Sequence, residues 1–251
     1  MKRRDFSQHL IKSVTSYALF DSLFLTEAFS YQVKPIIEHW ALDLESYCKD
    51  LRKAGISPSE WQNKIEALYQ KIELEELLRF IKFEELIKGF EYPDLGVATR
   101  YVKFPKLEGL PSRTAFTKKI FGMKKGRAII PHGHANMSSA HLILKGEMQL
   151  RNYNNHGQEE NHMIISPSSD QHIKRGDCST ISDERDNVHW FVANTDQAFT
   201  FDVIMLDLNG KQYDIYNLDM YEKEELGNGK MRVPILEVET ALKKYGKESH
   251  H

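Results

Sequence analysis

The stretch "IIPHGHANMSSAHLILKGEMQLRNY", residues 129–153, decides the fold. It places three histidines, His132, His134 and His141, just ahead of and within an apolar run that ends at a glycine. In an extended strand residues i and i+2 share a face, so His132 and His134 project together. Each imidazole costs free energy to bury unless its ring nitrogens find partners. A shared metal ion would supply one, a solvent-facing cluster would need none, and a third ligand would have to come from elsewhere in the chain.

Outward from that stretch the texture is β-rich. "TAFTKKIFGM", "GRAIIPHGH", "SSAHLILKGEMQLRNYN", "NHMIISP", "DCSTIS", "NVHWFVAN" and "AFTFDVIMLDL" each suit a strand or hairpin arm, punctuated by Gly, Pro, Asn and Asp. Seven such runs in succession predict an all-β sandwich or barrel. Before them, residues 35–90 carry helical periodicity. "PIIEHWALDLESYCKDLRK" spaces Ile37, Trp40, Leu44, Cys48 and Leu51 by three or four. "SPSEWQNKIEALYQKI" opens with Ser57 as cap, Pro58 at the first helical position and Glu60 completing a capping box. "LEELLRFIKFEELIKGF" continues the pattern to Gly89. These helices carry no ionisable constellation, which leaves them a packing role. The expected organisation is a helical segment over 31–92, a β-barrel over 93–225 and a C-terminal extension over 226–251. That extension and the residues just before it read as irregular structure ending in a short amphipathic helix.

The 251 residues are 41% hydrophobic, with 34 basic against 36 acidic side chains. A net charge of −2 gives no electrostatic case for nucleic acid as a partner. Two cysteines, Cys48 and Cys178, indicate neither a disulfide scaffold nor a Cys-rich zinc site. No apolar run is long enough to span a membrane. Residues 1–30, with paired arginines before Asp5-Phe6, read as a twin-arginine export signal, the alternative being an ordinary amphipathic helix. The first reading implies a periplasmic address, the second a cytoplasmic one.

Seven of the eleven histidines fall between 132 and 189. Gly126, His132-x-His134 and Gly146 resemble the first motif of the cupin superfamily, and Gly176-Asp177 with "NVHWFVAN" at 187–194 resembles the second. The resemblance implies a double-stranded β-helix, or jelly roll, in an α+β chain. A glutamate ligand usually stands seven positions before the glycine; here it is Ser139. Within the superfamily, the thiol dioxygenases that act on cysteamine and on N-terminal cysteine give a closer match. Pro131, His132, His134, Met137, Gly146 and Asn152-Tyr153 fit their first block, with one residue fewer after the proline. Asn187, His189, Phe191, Ala193, Thr195, Ala198 and Asp202-Val203 fit their second.

That resemblance implies His132, His134 and His189 as ligands of Fe(II), other divalent metals being compatible. It further implies oxidation of a small thiol by O2 to a sulfinic acid. Asp202 corresponds to a family aspartate near the active site, and as plain sequence it could equally be a strand-edge carboxylate. His141, on the face of Ser139, is expected to point inward, and a fourth ligand, an outer hydrogen-bond donor and a satisfied core histidine all remain open. Ile130, Ile143, Phe191 and Phe201 are the candidate apolar lining. Two departures stand out: "LDLNGKQYDIY" replaces the family's Pro-Pro-Tyr segment, and Asp186 replaces a glycine. The rival readings are a non-enzymatic metal- or ligand-binding cupin, and another oxygenase or isomerase reaction on the same three-histidine metal.

Overall fold

The computed structural model describes residues 36–247. The export-signal reading of residues 1–30 and the terminal His250 and His251 lie outside them. Among the described residues four helices come first: α1 (Ile36–Arg52), α2 (Pro58–Tyr69), α3 (Leu74–Phe80) and α4 (Phe83–Ile87). The helix α2 starts as its sequence demands, with Ser57 Oγ accepting from the Glu60 N–H at 3.1 Å and Pro58 next to it. The run from Leu74 to Ile87, one periodic stretch in sequence, breaks at Lys82, whose backbone turns left-handed at φ +54°. No helix among the described residues is long and apolar enough to cross a membrane.

Twelve strands follow: β1 (Ala98–Tyr101), β2 (Thr117–Met123), β3 (Ala128–Ala135), β4 (Ser138–Lys145), β5 (Glu147–Glu159), β6 (His162–Lys174), β7 (Cys178–Ile181), β8 (Val188–Ala193), β9 (Ala198–Met205), β10 (Asp214–Leu218), β11 (Glu224–Gly227) and β12 (Lys230–Leu236). A last helix, α5 (Val238–Tyr245), closes the described chain. One sheet runs β1-β2-β9-β4-β7, the other β10-β3-β8-β5-β6-β12-β11. The core of each, β2-β9-β4-β7 facing β3-β8-β5-β6, is the strand order of a jelly roll, the double-stranded β-helix of cupins.

The run through Gly146 divides into two strands, β4 and β5, that belong to different sheets. The chain turns the corner at Gly146 with φ +79°, and a Cβ there would lie 2.5 Å from Thr195 Oγ1 and 2.9 Å from Ala198 Cα, so only glycine fits. The region after residue 212 is not irregular: β10 pairs with β3, and β12 with β6 and β10. Its strands alternate short polar and apolar residues too briefly to register as strands in sequence.

Period two explains the helices. On β4, Ala140, Leu142 and Leu144 join the cluster with Trp40, Leu44, Trp61 and Ile65, and on β9 Phe199, Phe201, Val203 and Met205 do the same. The alternate residues Ser139, His141, Asp202 and Ile204 face the barrel interior. The first sheet is therefore buried on both faces, unlike an ordinary antiparallel sheet with one wet side. Burying a large apolar side chain contributes roughly 1.5–3 kcal/mol, so a barrel stripped of its helices would expose a row of four such residues on β9 alone.

Candidate metal centre

Two adjacent strands of the second sheet deliver three imidazoles to one point. His132 and His134 come from β3 and His189 from β8, and the β3–β8 ladder sets His132 directly opposite His189. One nitrogen from each ring lies within 4.8 Å of the other two. His132 Nε2 and His189 Nε2 are 3.1 Å apart, a separation at which both can stand about 2.0–2.1 Å from a single ion. Gly133, between the two β3 ligands, allows this packing: a Cβ there would meet Val188 Cγ2 at 2.9 Å and Met163 Sδ at 3.0 Å.

Backbone carbonyls fix the tautomers. His132 Nδ1–H donates to the Ile130 carbonyl at 2.7 Å and His134 Nδ1–H to the Asn187 carbonyl at 2.9 Å. A carbonyl only accepts, so in both rings the proton sits on Nδ1 and the Nε2 lone pair is free, the arrangement that metal-ligating histidines adopt. His189 Nδ1 is buried without a protein partner. Burial holds the His132 pKa down to about 4, with the Ile130 hydrogen bond acting against it. His134 and His189 lie well below the ordinary histidine range, again through burial first and the neighbouring rings second. All three are neutral at pH 7, which is the form that ligates. The donor set, the free lone pairs and the spacing fit a divalent ion that accepts imidazole, such as iron or zinc.

Next to the cluster stands a buried pair. His141 Nδ1–H donates to Asp202 Oδ2 at 2.7 Å, both side chains being nearly inaccessible. The two residues face each other across the β4–β9 ladder. The ring of His141 lies 4.9 Å from that of His189 and 5.3 Å from that of Phe191, and its Nε2 is buried without a protein partner. Among the described residues His141 falls outside the tight group of three.

The cluster opens into a cavity of about 320 Å³ lined by His132, His134, His141, His189 and Asp202. Its apolar wall is Phe121, Ile129, Met137, Ile204, Leu206 and Ile215, not the set expected from sequence. Ile130 belongs to a core with Met163 and Val233, Ile143 to one with Met148 and Leu150, and Phe201 faces the helices beside Trp40 and Phe104. Phe191 does touch the site, through the His141 and His189 rings. A strand position one residue out of phase points to the opposite face, which accounts for Phe201. Lys119, Tyr101 and Tyr213 also line the cavity and were not singled out in the sequence. Tyr153 packs in a core, and His156, His162 and His172 lie away from the cavity, the last beside Glu147 at 3.2 Å.

The helices reach this site through one loop. Gln62 on α2 is fully buried; its Nε2 donates to Thr180 Oγ1 at 3.1 Å and its Oε1 accepts from Ser182 Oγ at 2.7 Å. Arg185 is held by Asn63 and Glu66 of the same helix. This anchored segment leads into Asn187, which contacts His134, and then into His189.

No known protein-family profile matches the chain, and no curated protein sequence is similar to it. Among solved structures it is similar to KdgF from Halomonas sp., with 12% identity over 47% of this chain and 86% of that one, TM-score 0.32. It is also similar to a cupin superfamily protein from Desulfitobacterium hafniense DCB-2, with 11% identity over 49% and 88%, TM-score 0.32. A third likeness, to procruciferin, an 11S globulin from Brassica napus, has 13% identity over 41% of this chain and TM-score 0.32. The chain spans only 23% of that globulin. The fold assignment rests on the strand order: a jelly roll whose interior carries a three-histidine group.

Proposed function

We propose that the chain is an Fe(II)-dependent dioxygenase that converts a small thiol to a sulfinic acid, RSH + O2 → RSO2H. Both oxygen atoms go to sulfur, which is oxidised as dioxygen is reduced. His132, His134 and His189 would hold the metal. When bound, iron(II) supplies a centre that favours the thiolate and passes electrons to dioxygen. The observation that carries the reading is the three-histidine group opening into a cavity of about 320 Å³, a size suited to a small molecule.

The chain's own residues account for the rest. Three neutral ligands leave the full charge of the ion to face an anionic sulfur. The apolar wall formed by Phe121, Ile129 and Ile204 limits water around it. Asp202 fixes the proton of His141 on Nδ1, so that Nε2 presents a lone pair able to take the thiol proton. The segment 206–216 supplies Leu206, Tyr213 and Ile215 to the cavity, and it is the stretch that departs from the thiol dioxygenase pattern. This favours a substrate other than cysteamine or a protein N-terminus.

Metal analysis of the purified protein beside His132→Ala and His189→Ala tests the ligand set; both variants are expected to lose the metal. Oxygen uptake with cysteamine, cysteine, 3-mercaptopropionate and a Cys-initiated peptide tests the reaction. Uptake with none of them, by iron-loaded protein, would sink the thiol reading. Iron retained in both variants would sink the ligand assignment.

A further inference from the structure

Two of the three imidazoles give their Nδ1–H to a backbone carbonyl, whereas His189 Nδ1 is buried with no protein acceptor. A ligating ring almost always donates that proton, which aims the lone pair on its other nitrogen. The strand register offers an acceptor. His132, His189 and Asn152 stand in one row across β3, β8 and β5, with His189 directly opposite both neighbours. Residues paired in this way share a face, with Cβ atoms about 4.5–5.5 Å apart, within reach of a bond between an imidazole and an amide.

Asn152 breaks the pattern of its own strand. Met148 and Leu150, in the same phase on β5, fill an apolar core with Ile143 and Phe191. Asn152 is also buried, yet among the described residues its side chain makes one hydrogen bond, from Nδ2 to Ser179 Oγ at 3.5 Å. That length is at the weak limit of such contacts. Its Oδ1 is buried with no partner. An amide so poorly satisfied costs stability that an apolar residue there would not. One orphaned donor and one orphaned acceptor thus sit on facing residues of adjacent strands.

We infer that Asn152 is the positioning residue of His189: its Oδ1 takes the Nδ1–H and turns Nε2 toward the point shared with His132 and His134. The inference rests on the ligand set proposed above and is independent of the thiol reaction. The rival acceptor is His141 Nε2, buried without a partner on a ring 4.9 Å from that of His189. Strand pairing favours Asn152, because it fixes both side chains on one face of one sheet, whereas His141 comes from the other.

Cobalt(II) competition titrations on the full chain test this, together with the visible absorption of the bound ion and the melting temperatures of the metal-free proteins. The proteins are wild type, Asn152→Leu, Asn152→Asp, His141→Leu and His132→Ala. Asn152→Leu is expected to bind cobalt(II) about 10- to 100-fold more weakly, with altered absorption bands. Its metal-free form is expected to melt no lower than wild type. Asn152→Asp, which keeps an acceptor at the same reach, is expected to restore both affinity and bands. His141→Leu is expected to bind like wild type, and His132→Ala to lose the ion. Should Asn152→Leu not fold, Asn152→Ala carries the same expectation for affinity. Wild-type affinity in Asn152→Leu, an equal loss in Asn152→Asp, or weakening in His141→Leu alone overturns the inference and leaves the ligand set standing. His132→Ala that binds like wild type, or wild type that takes up no cobalt(II), overturns both.

Discussion

Asn187 grips His134 from three directions. Its carbonyl accepts from the ring Nδ1–H at 2.9 Å, its Oδ1 accepts from the His134 N–H at 3.3 Å, and its Nδ2 donates to the His134 carbonyl at 3.0 Å. The residue that orients one imidazole is thus two positions from the one that supplies another, His189. Both strands of the centre are set by a single amide.

Asn187→Ala removes the two side-chain bonds and leaves buried backbone groups of His134 unpaired. The expected cost is about 1–3 kcal/mol of stability, together with a 10- to 100-fold loss of metal affinity, as for other partners of ligating histidines. Thermal melts and metal competition titrations measure the two effects. Wild-type affinity in the variant would show that His134 needs no such grip.

Asp202→Asn disturbs the bond that fixes the proton of His141 while leaving the three ligands in place. Metal content is expected to stay at the wild-type level and turnover to fall by roughly 10- to 100-fold. Metal analysis alongside oxygen uptake decides it. Unchanged turnover would return the pair to a purely structural role.

Gln62→Ala acts from outside the site. It removes the acceptor of the buried Ser182 hydroxyl and one donor to Thr180 Oγ1, which keeps its bonds to Glu66 and Arg185, at an expected cost of about 1–3 kcal/mol, and loosens the segment leading to Asn187. Metal affinity is expected to drop although Gln62 touches no ligand. Lost stability with unaltered affinity would limit α2 to covering the sheet.

Legibility in the sequence followed physical locality. The HxH pair, its partner on β8 and the glycine corner could be read because each depends on a short pattern with one geometric meaning. The cavity wall could not. Ile130, Ile143 and Phe201 sit beside site residues in sequence, yet a bulge in β3 between Ile129 and His132 and the alternation of β9 send their side chains elsewhere. Lys119, Tyr101 and Tyr213 reach the site through strand pairing over long separations, which no local pattern encodes. The helices read as mere packing because their contribution runs through Gln62, a buried polar residue inside an otherwise ordinary apolar stripe.

The C-terminal helix is held by a different device with its own pH signature. Lys244 Nζ and Tyr245 Oη both donate to Asp219, at 2.8 and 2.7 Å. Burial tends to raise the Asp219 pKa, but the Lys244 and Tyr245 hydrogen bonds prevail and hold it below the ordinary 3.8. A carboxyl depressed on folding stabilises above its unfolded pKa and loses that contribution as pH falls through the folded value. Wild type is therefore expected to exceed Asp219→Asn in stability at neutral pH, with the gap closing below about pH 3.8. Urea unfolding at a series of pH values follows the gap; a constant difference would remove the carboxylate from the account.

The face-to-face register of His132 and His189 has a consequence beyond chemistry. An ion held there is a cross-link between chain positions 57 residues apart, formed only when β3 and β8 have paired. Folding and loading then become one equilibrium, so the melting temperature reports metal supply, and a starved cell would hold less of this protein as well as a less active one.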